Sequence, residues 1–542
     1  MPSYFIIAGW GGAQRAKAAL KFFIYTFTGS AFLFVGILYL GFAHQHQVTG
    51  SALIVVPLLG ALIAMLVRTR DGASYVVGVA TSIVEFALSI VVFVLYNNHI
   101  KGAGTFDFLS RHVLSAPLGL AYDVALDGIS LLMVVLTALV LFLALLGARD
   151  RRQEPAFVSW LLLLTCFTMA SFLSHDVLEF FIFFELTLVP SYFIISGWGG
   201  AQRSRAALKF FIYTFTGSAF LLIGILYLGF LNQHQTGGAL SFSYSVLQSA
   251  ALSHGTAVWL FLAFAIAFAV KSPIFPFHTW SPVTYAEAPT AGSIELSALL
   301  AKLGSYGLLR FAVGLFPLAL ATLRPLILTL AVISILYGSL VACATPDLKR
   351  LVAYSSLAQM GFITLGIMTG SKIAMVGAVL LMFNHGVITA GFFLIIGFLE
   401  KRRGSYQIRD MTGLQGPAPV LAAIFTVVML ASIGLPGLSG FVSEYLILIG
   451  AFGTHAWWGA AATLGVVAAA AYLLWAYQRV FQGRATGPNA EIADASAKER
   501  WVLVPVVVLI VALGVFPHPV LERITPSVNQ LIHHVAPAGV NK

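Results

Sequence analysis

Runs of about twenty apolar residues recur along almost the whole of this chain, and that is the length of helix needed to cross a bilayer's hydrocarbon core. They lie near 20–42, 51–68, 74–96, 128–148, 156–174, 177–197, 208–231, 257–276, 290–315, 319–343, 348–370, 373–400, 418–450, 456–480 and 501–517. Backbone polar groups in hydrocarbon must be satisfied within the segment, so runs this long fold as helices. Only 9% of the 542 residues are charged, against about 25% in an ordinary soluble domain, and the mean hydropathy is +0.93. The expected fold is all-α and polytopic.

The net charge of +10 does not point to nucleic acid, because the basic residues sit in short loops between apolar runs. Arg68/Arg70, Arg149/Arg151/Arg152, Arg203/Arg205, Lys349/Arg350, Lys401/Arg402/Arg403 and Arg479/Arg484 occupy alternate loops. They therefore share one face, read as cytoplasmic, which sets the C-terminus on the outer face. The apolar run after Lys21 is too long for the apolar core of a cleavable signal. The two cysteines, Cys166 and Cys343, are far apart, with no zinc spacing and too few thiolates for an iron–sulfur cluster. No phosphate-binding glycine motif occurs either. If the chain serves a redox enzyme, the redox chemistry is elsewhere.

Residues 2–50 nearly repeat residues 190–238; positions 8, 16, 17, 34, 35, 43, 44, 48 and 49 differ. That is too close for an ancient fold repeat and reads as a recent partial duplication or an error of sequence or start site. The copy carries Arg15, Lys17, Lys21 and one span, but starts after the equivalent of Glu185. The expected organisation is an extra helix without function in 1–50 and a membrane domain in 51–542.

Ionisable side chains inside the apolar runs are the candidate functional groups. A charge at the bilayer centre costs at least about 2.5–3.5 kcal/mol, so such residues usually pair or line an ion path. Glu185 lies mid-run, and a basic partner is expected for it; the alternative is a polar residue satisfied by a neighbouring helix. Glu179, nearer the outer end, could simply reach water. Lys271 stands just before Ser272, Pro273 and Pro276. Proline breaks a helix, and a break at membrane depth is tolerated only in protein or beside a wet cavity. Snorkelling to the interface is the alternative. Lys302 follows Glu295 by seven residues, on nearly the same helical face, so a structural ion pair between them competes with a role in transport. Arg310 is expected to snorkel. His385 is mid-run, either a relay or a hydrogen-bonded core residue; paired with His278 it could suggest haem ligation, but His278 follows the break. Glu444 follows a second break at Gly434, Pro436, Gly437 and Gly440. Two broken helices, each beside an ionisable residue, are the signature of a transporter built from two repeats.

Several segments resemble a known family. KSPIFPFHTWSPVTYAEAPTAGSIELSALLAKLGSYGLLRF at 271–311, DLKRLVAYSSLAQMGF at 347–362, FNHGVITAGFFLIIGFLEKR at 383–402 and GLPGLSGFVSEY look like the antiporter-like proton-pumping subunits of respiratory complex I. The likeness runs from about Ser51 to the C-terminus. Glu444 where the L and N types carry lysine, an early chain end and YDVALDGIS at 122–130 favour the M, or chain 4, branch. The resemblance implies 14 transmembrane helices in two inverted half-channel repeats with two broken helices, in a bacterial inner membrane. It implies Glu185 and Lys271 as a coupled pair, Lys302 as central relay, His385 as neighbouring relay and Glu444 as exit residue. Gln359 stands where some members have histidine. The implied neighbours are L- and N-type subunits, with NADH, FMN, iron–sulfur clusters and quinone held by partner subunits and no cofactor or metal here. A multisubunit cation/proton antiporter shares most motifs, and a non-pumping structural subunit is the third reading.

Overall fold

The computed structural model describes residues 48–67, 72–96 and 106–535. The expected helix at 20–42, nearly all of the N-terminal near-copy, and Arg68 and Arg70 lie outside the described residues. Helices α1 (Val48–Leu66) and α2 (Ala73–Leu95) precede a short antiparallel hairpin, β1 (Asp107–Ser115) and β2 (Leu120–Leu126). Everything after it is essentially helical. α3 (Gly128–Gly147) and α4 (Pro155–Leu173) lead into α5 (Val177–Leu186) and α6 (Leu188–Trp198), which meet at Thr187 as one interrupted crossing. α7 (Arg203–Thr236), α8 (His254–Lys271), the short α9 (Ser281–Glu287) and α10 (Thr290–Val313) follow. α11 (Pro317–Ala344), α12 (Leu348–Met368) and α13 (Lys372–Arg403) complete the middle of the chain. α14 (Pro419–Ile433), α15 (Ser439–Phe481), α16 (Ala497–Val515) and α17 (His518–Val535) close it.

Among the described residues, 11 helices are long and apolar enough to cross a membrane, or up to 12 if one bent pair counts as a span. The count differs from the expected one because some crossings are broken. α14 stops at the glycine-rich break, and α15, 43 residues long, leaves helical geometry at His455, so it covers two of the runs read from sequence.

A helix apolar on all sides must be buried on all sides, and the burial pattern follows this rule. α10 and α13 are buried throughout and α12 almost throughout, whereas α2 and α15 leave much of their length facing outward. The helices bearing Lys302, Gln359 and His385 therefore form the centre. Polar residues fix where elements begin. Asp127 caps α3: its carboxylate accepts from the Ile129 and Ser130 N–H groups, and Ser130 Oγ accepts from the Asp127 N–H, a reciprocal capping box. Two of the basic loops, 149–152 and 401–403, also meet. Lys401 pairs with Asp150 at 2.9 Å, and Arg402 with Glu499 at 2.6 Å.

The chain does not finish at 517. It bends by 71° into α17, whose Val520, Ile524, Val528 and Leu531 are buried while polar residues cover the opposite side. Ser527 Oγ accepts from the Gly128 N–H at 2.9 Å, and Arg523 donates to the Phe93 carbonyl at 3.1 Å. Strong amphipathicity with low overall apolarity is why no membrane-length run marks this helix.

Candidate functional site

The sequence places its two breaks correctly. α8 ends at Lys271, and the chain runs irregularly to Ser281. Side chains take up the freed backbone groups, as irregular backbone at membrane depth requires. Trp280 Nε1 donates to the Val270 carbonyl (2.8 Å), Ser272 Oγ to Ala301 (3.1 Å), and the Phe275 N–H to Ser334 Oγ (2.9 Å). At the second break Asn384 Nδ2 donates to the Ser439 carbonyl at 2.7 Å.

Lys271 does not snorkel. Its side chain is 1% exposed, and Nζ donates to Thr187 Oγ1 at 3.0 Å while lying 4.5 Å from the centre of the Phe184 ring. Thr187 is the junction of α5 and α6, two residues after Glu185. Glu185 is half-buried on α5 with one oxygen lacking a hydrogen-bond partner, and Ser218 on α7 is its hydrogen-bonding neighbour. The acid and the lysine are brought to one place, yet no ion pair joins them among the described residues: the ammonium is held by a hydroxyl. Nothing in the sequence singled out Thr187.

Lys302 is fully buried in α10. Nζ donates to the Ser297 carbonyl at 2.8 Å and lies 2.5 Å from His385 Nδ1 on α13. Pairing with Glu295, one alternative open in the sequence, does not occur; both Glu295 carboxylate oxygens are buried without a partner. The reason lies in the local backbone. Leu296–Leu300 and Leu308–Val313 are π-helical turns on either side of Lys302. Such wide turns favour functional sites, and the first of them, lying between Glu295 and Lys302, rotates Lys302 off the register relative to Glu295 that a uniform α-helix would give it.

Glu444 accepts from Gln359 Nε2 at 2.8 Å. Gly434, at the break, has φ +80, and a β-carbon there would lie 2.6 Å from Glu444 Oε2, so both its backbone conformation and the close approach of the carboxylate call for glycine. Asn384, next to His385, also donates to Ser443 Oγ at 3.3 Å. One segment of α13 thus carries the lysine's histidine partner and clamps the turn that bears Glu444. In chain order the groups are Glu185, Lys271, Lys302, His385 and Glu444. His278 instead packs against Phe275 and Tyr337, apart from His385.

Two further expectations change. Arg310 is buried and paired with Asp127, with Phe106 and Tyr306 against its guanidinium, so it does not reach the interface. Glu179 is 6% exposed and accepts from the Asp123 N–H at 3.1 Å rather than reaching water. Beside it Asp176 caps α5, accepting from Leu178 and Glu179 N–H groups. Burial pushes the Asp176 carboxyl up to about 7, against the pull of those two donors. On the basic-loop side, Lys349 is almost fully buried and donates to the Ala286 and Ala288 carbonyls (3.2 and 2.6 Å). It lines a cavity of about 480 Å³ with Asp150, Glu287, Glu400, Lys401 and Tyr406. In the sequence Lys349 looked like one more loop lysine.

The family described as "NADH:quinone oxidoreductase/Mrp antiporter, TM" matches residues 174–470, a segment containing all five ordered groups and both breaks. The chain belongs to that family. Among relatives in the NADH:quinone oxidoreductase/Mrp antiporter family, the NADH-quinone oxidoreductase subunit M of Mycobacterium tuberculosis is 37% identical, over 88% of this chain and 93% of the relative. The NADH-ubiquinone oxidoreductase chain 4 of Marchantia polymorpha is 35% identical over 89% and 97%. A chain in respiratory complex I from Thermus thermophilus superposes with a TM-score of 0.82 at 32% identity, over 90% of this chain and 99% of that one. A chain of the Mrp complex from Dietzia sp. gives 0.77 at 22% identity over 90% and 99%, a likeness of fold.

Proposed function

We propose that this chain is the M-type proton-translocating membrane-arm subunit of an NADH:quinone oxidoreductase, driven by quinone reduction in partner subunits. The observation that carries the reading is the buried Lys302–His385 contact, 2.5 Å long, between two broken helices. A lysine without a carboxylate partner in a low dielectric holds its proton weakly, and an imidazole at hydrogen-bond distance is the acceptor such a proton needs. Glu185 and Lys271 form the first half-channel. Drawing Glu185 away lowers the affinity of Lys271 for its proton, which passes to Lys302, to His385, and out by Glu444. Reloading comes from the cytoplasm, where the cavity beside Lys349 offers water-sized space. The chain holds no redox group of its own in this scheme: NADH, FMN, iron–sulfur clusters and quinone belong to partners, with L- and N-type subunits as neighbours. It sits in a bacterial inner membrane with its C-terminus on the outer face, and residues 51–542 form its membrane domain.

NADH-driven proton uptake by inverted membrane vesicles tests this. Glu185→Gln and Lys302→Met are each expected to abolish uptake and quinone-coupled NADH oxidation together, at equal enzyme content. Unchanged uptake in either variant would refute the relay. Loss of sodium-dependent proton exchange with normal NADH-driven uptake would assign the chain to a cation/proton antiporter instead.

A further inference from the structure

Helix α2 carries an acid that the relay does not use. Its buried residues include Ser74, Gly78, Ser82, Glu85 and Ser89, spaced three or four apart and hence on one face. The other side is apolar and exposed at Val76, Val84, Val91 and Val94. Glu85 stands one residue past the midpoint of the 23-residue helix, which sets it near mid-membrane depth. It is fully buried, and neither carboxylate oxygen has a hydrogen-bond partner among the described residues.

The face looks between α3 and α4, since Gly78 abuts Leu145 and Val158. On α4 the hydroxyls of Ser159, Thr165 and Thr168 are likewise buried without partners. Cys166 on α4, a titratable group that the charge of an ionised Glu85 would reach, spends its thiol on the Ile54 carbonyl at 3.2 Å. Ser82 and Ser89 donate back to the Val79 and Phe86 carbonyls, each at 2.8 Å, which leaves their oxygens free to accept. An ionised Glu85 would meet no basic side chain among the described residues and would carry the full penalty of an unpaired intramembrane charge. A neutral carboxylic acid avoids that penalty and needs only an acceptor for its one O–H.

We propose that Glu85 is a further proton-binding site in the membrane, off the Lys271–Lys302–Glu444 line, holding its proton as the neutral carboxylic acid. It stands independently of the translocation scheme, because it rests on α2, α3 and α4 alone.

Infrared difference spectroscopy on the purified membrane complex in lipid nanodiscs tests it. The expected result is a protonated-carboxyl C=O band that is absent from Glu85→Gln and displaced in Glu85→Asp. The band should also shift when the resting complex is moved from H2O to D2O. Glu85→Asp carries the test alone if Glu85→Gln does not assemble. Spectra identical in wild type and variants would overturn the proposal, because Glu85 would then be ionised. A band unmoved by D2O would overturn it as well, since an acid closed to water loads nothing. A band that emerges only when sodium is withdrawn would replace the proton with a metal cation.

Discussion

At the scale of single residues, what holds Lys271 matters more than that it is charged. A hydroxyl accepts a hydrogen bond from an ammonium without adding charge, so the Thr187–Lys271 contact orders the lysine while leaving its proton free to leave. Thr187→Val keeps the shape and removes the acceptor. Leaving a buried charged group unsatisfied costs about 1–3 kcal/mol, so NADH-driven proton uptake is expected to slow by roughly tenfold, which corresponds to about 1.4 kcal/mol, and Thr187→Ser should restore it. An initial-rate assay in inverted vesicles reads both. Five ionisable groups proposed for the relay stood out because a charge in an apolar run is conspicuous. Their partners did not. Thr187 and Asn384 are ordinary polar residues, and only the packing of helices distant in sequence selects them, 84 positions apart for Thr187 and Lys271 and 55 for Asn384 and Ser439.

At the scale of elements, helix boundaries were readable and helix interiors less so. Apolar length fixed where α2 to α13 run to within a few residues, and prolines and glycines fixed both breaks. The π turns around Lys302 carry no such mark, which is why the seven-residue spacing to Glu295 suggested a pair that the fold does not make. Arg310 misled for the opposite reason: its partner Asp127 is 183 positions away. The start of α5 offers a test of element electrostatics. The Asp176 carboxyl, raised to about 7 by burial, stays protonated in the folded chain while an unfolded one ionises near 3.8. The unfolded state therefore binds fewer protons between those two values, and stability falls as pH rises through that window. Asp176→Asn abolishes this dependence. The thermal midpoint of wild type relative to Asp176→Asn is expected to decline from pH 4 to pH 7 and then level off, as read by scanning fluorimetry on the purified complex.

At the scale of the whole molecule, the chain's end closes on its beginning. α17 lies across the start of α3 and reaches the end of α2 through Arg523 and Phe93. A chain stopped after Val515 loses four buried apolar side chains and the donor's partner at Gly128. Fully burying one such side chain contributes roughly 1.5–3 kcal/mol, so the truncation is expected to lower the thermal midpoint by several degrees and to reduce the amount of assembled complex. Ser527→Ala alone should cost about 1 kcal/mol. The positions of most crossings could be read from hydropathy, but this closure could not, because α17 is a surface helix by composition. Gln359 has a consequence on the same scale. Its amide nitrogen serves Glu444, and its amide oxygen is buried with no partner. Half a turn of that amide would present an acceptor where a donor now stands. A lysine at 444 would therefore find its acceptor in the same glutamine, so the charge at this position can be reversed without a second substitution at 359.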